Sequence, residues 1–338
     1  MINTTRFSIL SASIMIASLL LSACGSSPKK ETQPDWVDGV SKKYPQGFYL
    51  TGRGEGSSQA AAKNQARADL TKSIEVKVDA KSQDLQEFSR SGSDTRASLK
   101  IVRDVQTESS LTVKGIEISE TWKNPETGQY YALATLHRQP AMERLSDEIK
   151  DYDNTTLALV GKAKDEKDLL AKTGYMAKAL QAQYKRADTN RILQVIDRTG
   201  EGVKSKINIG DMIATLNESA ENVKIKTVAQ ADASLQLEAI LAGAISEAGF
   251  TNTPEGDFVL EAAVQKHDLG QKNNFIWVRG VVEVRLKDAS GGIRGTERWE
   301  LKESATDQGS ADMRFYNQIN KKLKSELGGK LIGFAVKG

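Results

Sequence analysis

Gly52, Gly54 and Ser57, in the stretch YLTGRGEGSSQAAAKNQARADL from Tyr49 to Leu70, stand at G-x-G-x-x-S spacing between a short apolar run and an alanine-rich segment. Such spacing could cradle a pyrophosphate at a strand-to-helix turn, as a dinucleotide-binding site does. Here the third glycine position is a serine, the preceding run is short and weakly apolar, and no β-α-β pair follows in a parallel-sheet pattern. Asp79 stands where a ribose-binding acid would, but within an alternating run of solvated charges. The glycines are therefore expected to serve the backbone, by allowing positive φ and a close helix approach, and no cofactor is assigned. His137 and His267 are the only histidines and fall in separate expected domains, and Cys24 is the only cysteine. An internal disulfide, a thiol nucleophile beside a base and a Cys/His metal site are all without the residues they need. Glu117, Glu120 and Glu126 could pair for glycoside chemistry, yet they sit on alternating or turn positions with no sign of an enclosed pocket. The inventory gives no catalytic, cofactor-binding or metal-binding residue and predicts a protein that is not an enzyme. Lys321, Lys322, Lys324 and Lys330 form a basic edge that could meet anionic envelope polymers or a membrane surface. The interleaved Glu326 and the apolar stripe of the same segment favour a charged outer face instead. Trp36 and Trp122 are expected as core anchors.

These residues need elements to position them. Phe48 to Leu50 reads as a strand, Ser57 or Ser58 as a helix cap, and Ala62, Ala66, Leu70 and Ile74 recur every four residues on a small apolar face that can lie close on a sheet. Ile74, Val76 and Val78 alternate with charges, which predicts a half-buried strand. SETWKNPETGQYYALATL reads as two strands around a turn containing Pro125 and Gly128. From Pro140 to about Ile196 the pattern is helical, with Gly161 and Gly174 arguing against a single unbroken helix; two or more helices, in the form of an antiparallel hairpin, are expected. NVKIKTV then reads as a strand, Leu237, Ile240, Leu241 and Ala244 as a helix stopped at Gly249, and Phe258 to Val264, Phe275 to Leu286 and Ile293 to Leu301 as strands. ASGGIRG makes the last turn, and Phe315, Ile319, Leu323 and Leu327 mark a closing helix. The expected order in this half is β-α-β-β-β-α.

The N-terminus bears on location. Arg6 is the only charge before an apolar run from Phe7 to Leu21, which is followed by Leu21, Ser22, Ala23 and Cys24. The run is too short for a membrane span of roughly 20 residues and fits a secretory signal. L-S-A-C resembles the bacterial lipobox, which implies lipidation of Cys24; Gly25 in place of an inner-membrane-retaining aspartate implies the outer membrane. A formal charge of +3 over 338 residues, with 39% hydrophobic and 6% aromatic residues, excludes the strongly basic class that binds nucleic acid. The remaining chain, about 310 residues, is long enough for two domains.

PDWV at Pro34, YLTGRGEG at Tyr49, the helix reaching ARADLTKSI, and GIEISETW with GQYYALATL together resemble the Lpp-twenty family of bacterial outer-membrane lipoproteins, a small α+β domain found also in proteins linked to the flagellar outer membrane and sheath. LQLEAILAGAISEAGF followed by GDFVLEAAV is similar in pattern to the small domain of the TolB amino-terminal region, curli secretion lipoproteins and the middle of flagellar assembly protein T. The expected organisation is α+β: signal peptide 1–23, tether 24–33, first α+β domain 34–139, helical connector 140–199 and second α+β domain 200–338. The resemblance implies a non-enzymatic lipoprotein held in outer-membrane lipid through acylated Cys24, facing periplasm or cell surface. It would act as an assembly or interaction module for envelope structures, the flagellar apparatus among them, through an unidentified envelope protein partner, with homo-oligomerisation left open. The alternative is an accessory regulator of cell-wall synthesis or remodelling enzymes.

Overall fold

Strand β1 (Tyr49–Gly56) places Gly52, Gly54 and Gly56 on one face, and a helix lies directly on them. The computed structural model describes residues 32–89, 113–230 and 234–336. Helix α1 (Gln59–Ser89) starts after Ser58, whose hydroxyl accepts from the Ala61 amide at 3.2 Å. A Cβ at Gly52 would stand 2.5 Å from the Leu70 nitrogen, and one at Gly54 would run into the Ala66 nitrogen and the Ala62 carbonyl. None of the three glycines has positive φ; that role falls to Gly128 (φ 72) in the next hairpin. The expectation of close approach at Gly52 and Gly54 holds, and that of positive φ does not, because these residues are extended strand. Segment 74–79, expected as a strand, is helix. Ile74 and Val78 continue the buried stripe of Ala62, Ala66 and Leu70, while Val76 is exposed. Residues 74 and 78 fit both the twofold and the fourfold pattern, and the longer stripe decides.

Strands β2 (Glu117–Lys123) and β3 (Tyr130–His137) complete an antiparallel sheet in the order β1-β3-β2. Ala132, Ala134 and Leu136 of β3 face α1, and Leu133 faces the opposite side, where Trp36 and Trp122 pack, the alternation that a strand covered on both faces requires.

Helix α2 (Arg138–Asp165) follows β3 without a loop and turns back into α3 (Leu169–Ile196). The break falls at Glu166–Asp168, where Asp168 caps α3 by accepting from the Ala171 amide at 2.9 Å; Gly161 and Gly174 are both inside helices. This hairpin enters both cores: Ala141, Leu145, Ile149, Ile192, Leu193 and Ile196 join the core under α1, and Ala163, Leu170, Met176 and Leu180 join the second core. The segment expected as a connector thus supplies side chains to each.

The second core is built by α4 (Ile209–Glu221), β4 (Lys224–Gln230), α5 (Ser234–Glu247), the two-residue β5 (Thr251–Asn252), β6 (Phe258–Lys272), β7 (Phe275–Asp288), β8 (Ile293–Ala305) and α6 (Gln308–Ala335). Its sheet runs β5-β4-β6-β7-β8, with β4 parallel to β5 and β6, and the rest antiparallel. Gly249 (φ 83) ends α5, as its position implies. Helices α5 and α6 cover one face. There the Phe315 ring occupies the space over Gly280, 2.5 Å from a Cβ built at that residue, and the Phe334 ring lies over Gly295. The other face carries cross-strand ion pairs, among them Lys287–Glu261 at 2.6 Å and Arg279–Glu300 at 2.8 Å. The protein is a mixed α/β fold with two sheets.

Gly54→Ala is expected to lower stability by about 3 kcal/mol, since the methyl group meets helix backbone that cannot rotate away. Gly161→Ala, in open space on the outside of α2, is expected to raise it by about 0.5–1 kcal/mol. Urea denaturation midpoints of the two variants check both signs.

Candidate functional site

The residues with chemical potential are dispersed by the fold and mostly committed to it. Gly52 and Gly54 lie upstream of the strand-to-helix turn and are covered by the second and third turns of α1. The backbone that would meet a pyrophosphate is thus occupied by Ala62, Ala66 and Leu70. Asp69 of α1 accepts from the Arg53 amide at 2.9 Å, which blocks the outer edge of β1, and the Arg53 guanidinium donates to the Val37 carbonyl at 2.8 Å. His137 ends β3 with its ring 4.8 Å from that of Tyr49, and His267 is exposed on β6 opposite Arg279. The two belong to different sheets. Among the described residues no group of three or more His, Cys, Asp or Glu could hold a metal ion. Cys24 lies outside the described residues.

Of the three carboxylates, Glu120 is the structural one. It accepts from the Trp36 indole at 2.7 Å and from Lys43 at 2.8 Å, fixing the short 3-10 turn Asp35–Val37 across the open face of the first sheet. Glu117 is exposed on β2, and Glu126 follows in the β2–β3 turn. The basic edge of α6 is partly neutralised. Lys322 pairs with Glu326 at 2.6 Å and Lys330 with Glu297 at 3.1 Å. Burial raises the Glu326 carboxyl, but hydrogen bonds from Lys322 and the Trp299 indole outweigh it and hold the group below its ordinary value.

Two apolar surfaces stand out among the described residues. One is the tip of the β6–β7 hairpin, turned through Asn273 (φ 52) and Asn274 (φ 61), a pair of left-handed residues matching the twist of a two-residue turn. Leu269 and Phe275 beside it are 53% and 43% exposed. The other is an open groove of about 510 Å³ between α2, α3 and α4. Its apolar wall is Leu157, Val160 and Ala163 of α2, Met176 of α3, Met212 of α4 and Ile207 just before α4.

The groove is held rigid from behind. Arg186 of α3, 4% exposed, donates to Asp153 of α2 at 2.9 Å and to the Val203 and Lys204 carbonyls at 3.2 and 3.1 Å. Gln183 donates to Asp153 at 3.1 Å and to Thr156 at 2.8 Å. This network ties both hairpin helices to the segment leading into α4.

The groove is not legible in the sequence, because its walls come from three helices whose pairing no local pattern specifies. Sequence reasoning also missed Glu120 as the partner of Trp36, 84 residues away. The one available signal was an acid in a strand that also carries a tryptophan.

Residues 34–137 match the LPP20 lipoprotein family model, the family that the motifs of this segment resemble. No curated protein matches the chain. Among solved structures, a secreted protein of Helicobacter pylori aligns with 82% of this chain and 96% of its own at 16% identity and a TM-score of 0.45. A minor lipoprotein of Acinetobacter baumannii aligns with 32% of this chain and 94% of its own at 15% identity and a TM-score of 0.26. A lipoprotein of Neisseria meningitidis aligns with 30% and 97% at 15% identity and a TM-score of 0.23. No described helix is long and apolar enough to cross a membrane.

Arg186→Ala is expected to cost about 3 kcal/mol, because it takes the charge partner from Asp153 and the donors from the Val203 and Lys204 carbonyls around a largely buried side chain. Arg279→Ala, from an ion pair exposed on both sides, is expected to cost less than about 0.5 kcal/mol. Equal shifts in thermal or urea midpoint for the two variants would contradict this ranking.

Proposed function

We propose that the chain is a lipoprotein anchored in the outer membrane through acylated Cys24, and that it works by binding, as an assembly or interaction module of the cell envelope. The observation that carries this reading is the match of residues 34–137 to a lipoprotein family behind an L-S-A-C sequence at residues 21–24. The commitment of Glu120, Asp153, Asp168 and Glu326 to structural contacts agrees with a binding role. The exposed hairpin tip at Leu269 and Phe275 offers an apolar contact of the kind that anchors a partner.

Cys24→Ala is expected to move the protein from the outer-membrane fraction to the soluble fraction; tight sedimentation of a normally processed variant with the membrane would refute the anchor. The interaction role is tested by in-cell cross-linking and mass spectrometry on the unaltered chain and on a Leu269→Lys, Phe275→Lys variant. Specific envelope proteins are expected with the former and at least about tenfold less with the latter, the change that losing a buried apolar anchor produces. Identical cross-links from both would remove the hairpin tip from the interface, and no specific cross-link from either would remove the interaction role.

A further inference from the structure

The groove between α2, α3 and α4 has a chemistry narrower than that of a general apolar patch. Its polar lining side chains are already used within the fold. Thr156 donates to the Tyr152 carbonyl at 2.8 Å and accepts from Gln183, Thr215 donates to the Asp211 carbonyl at 2.9 Å, and Asn208 caps α4 by accepting from the Gly210 amide at 2.8 Å. What is left to meet a ligand is the apolar wall and the charges at its rim: Lys164 of α2, Lys172 of α3 and Asp211 of α4. Neither Lys164 nor Lys172 is in an ion pair with a carboxylate among the described residues. A volume of about 510 Å³ is well inside the range of small-ligand sites, about 300–1,000 Å³.

Leu157 to Lys164 spans about 10 Å of α2, or two turns, at 1.5 Å per residue. An extended peptide would bring backbone N–H and C=O groups that need partners. Most of the walls are helices, whose own backbone groups are bonded internally, and the hydroxyls of Thr156 and Thr215 and the side-chain oxygen of Asn208 are already bonded within the fold. A hydrocarbon chain makes no such demand and gains from every methylene it buries against Leu157, Val160, Met176 and Met212. Two ammonium groups at the rim with no carboxylate of their own complement an anionic head.

We propose that this groove holds the acyl chain of a single-chain anionic lipid, with Lys164 and Lys172 on its head group. Asp211, across the rim on α4, opposes the same head group. The charge on each side of the groove therefore has an opposite effect on affinity.

The test uses the chain from Gly25 onward, which keeps every residue of the three hydrophobic clusters, and palmitate as the probe, measured by displacement of a fluorescent fatty acid. Saturable binding of one palmitate per chain is expected. Lys164→Glu with Lys172→Glu should raise Kd at least about tenfold at low salt, where exposed charges are least screened, and Asp211→Asn should lower it. Leu157→Gln, at a position 63% exposed and so without consequence for folding, should raise Kd as well. If the double variant fails to fold, Lys164→Glu alone, at an exposed position, carries the charge arm. Absence of saturable binding overturns the proposal. So does equal affinity for hexadecyltrimethylammonium, or indifference of Kd to both lysines, and so does displacement of the probe by an acidic amphipathic peptide but not by palmitate. Because the measurement is made without Cys24, its outcome is independent of where the anchor places the protein.

Discussion

Helix backbone lying directly on strand backbone is the contact on which the fold depends. In the first sheet, Gly52 and Gly54 leave no side chain between β1 and α1, and the small residues Ala62 and Ala66 answer them from the helix. At that separation any Cβ on the strand collides with main chain, which cannot swing aside as a side chain would. The second sheet meets its helix by a related device. Gly280 and Gly295 leave gaps that the Phe315 and Phe334 rings of α6 fill. One sheet thus receives a helix of small residues and the other a helix of large ones, and in each the glycines set how deeply the helix seats. A spacing that resembles a nucleotide-binding turn is, in this protein, a packing surface.

The α2–α3 hairpin makes the two halves one structure. Its end nearest β3 packs under α1, and its turn end packs on α4 and α6, so burial on either side supports the same pair of helices. Gly174 of α3 is buried against Ala335 and Val336 at the end of α6, a third close contact made possible by a missing side chain. At its turn, Asp168 both caps α3 and pairs with Arg294 of β8 at 2.6 Å. Loss of either core would expose one end of the hairpin, which couples the unfolding of the two halves.

Several acids that look available in the sequence hold separate segments together. Glu120 anchors Trp36, Asp69 shields the β1 edge, Asp153 neutralises Arg186 and Glu326 holds Trp299. Fixed in this way, they define shape. The hairpin tip and the three-helix groove, one projecting and one concave, are both apolar with charge nearby.

The sequence by itself determined the elements whose burial repeats at one period. The fourfold stripe of Phe315, Ile319, Leu323 and Leu327 is the buried face of α6, the two-strand reading around Gly128 is the β2–β3 hairpin, and Gly249 ends α5. In each, the residues that specify the element lie within a few positions of one another, and L-S-A-C at residues 21–24 and the motifs between Pro34 and His137 are local in the same sense. Tertiary structure decided what depends on which surfaces meet. Segment 74–79 became helix because Ile74 and Val78 reach the core only by continuing the stripe of α1, although their alternation with charges suits a strand equally well. The turn of the helical hairpin fell at Glu166–Asp168 and not at Gly161 or Gly174, because one glycine sits in open solvent and the other is needed against α6. The Trp36–Glu120 contact and the groove lined by Val160, Met176 and Met212 join residues far apart in the chain. A periodic pattern tells a side chain which way to face, but the neighbour it will find there is fixed only when the helices and sheets have packed.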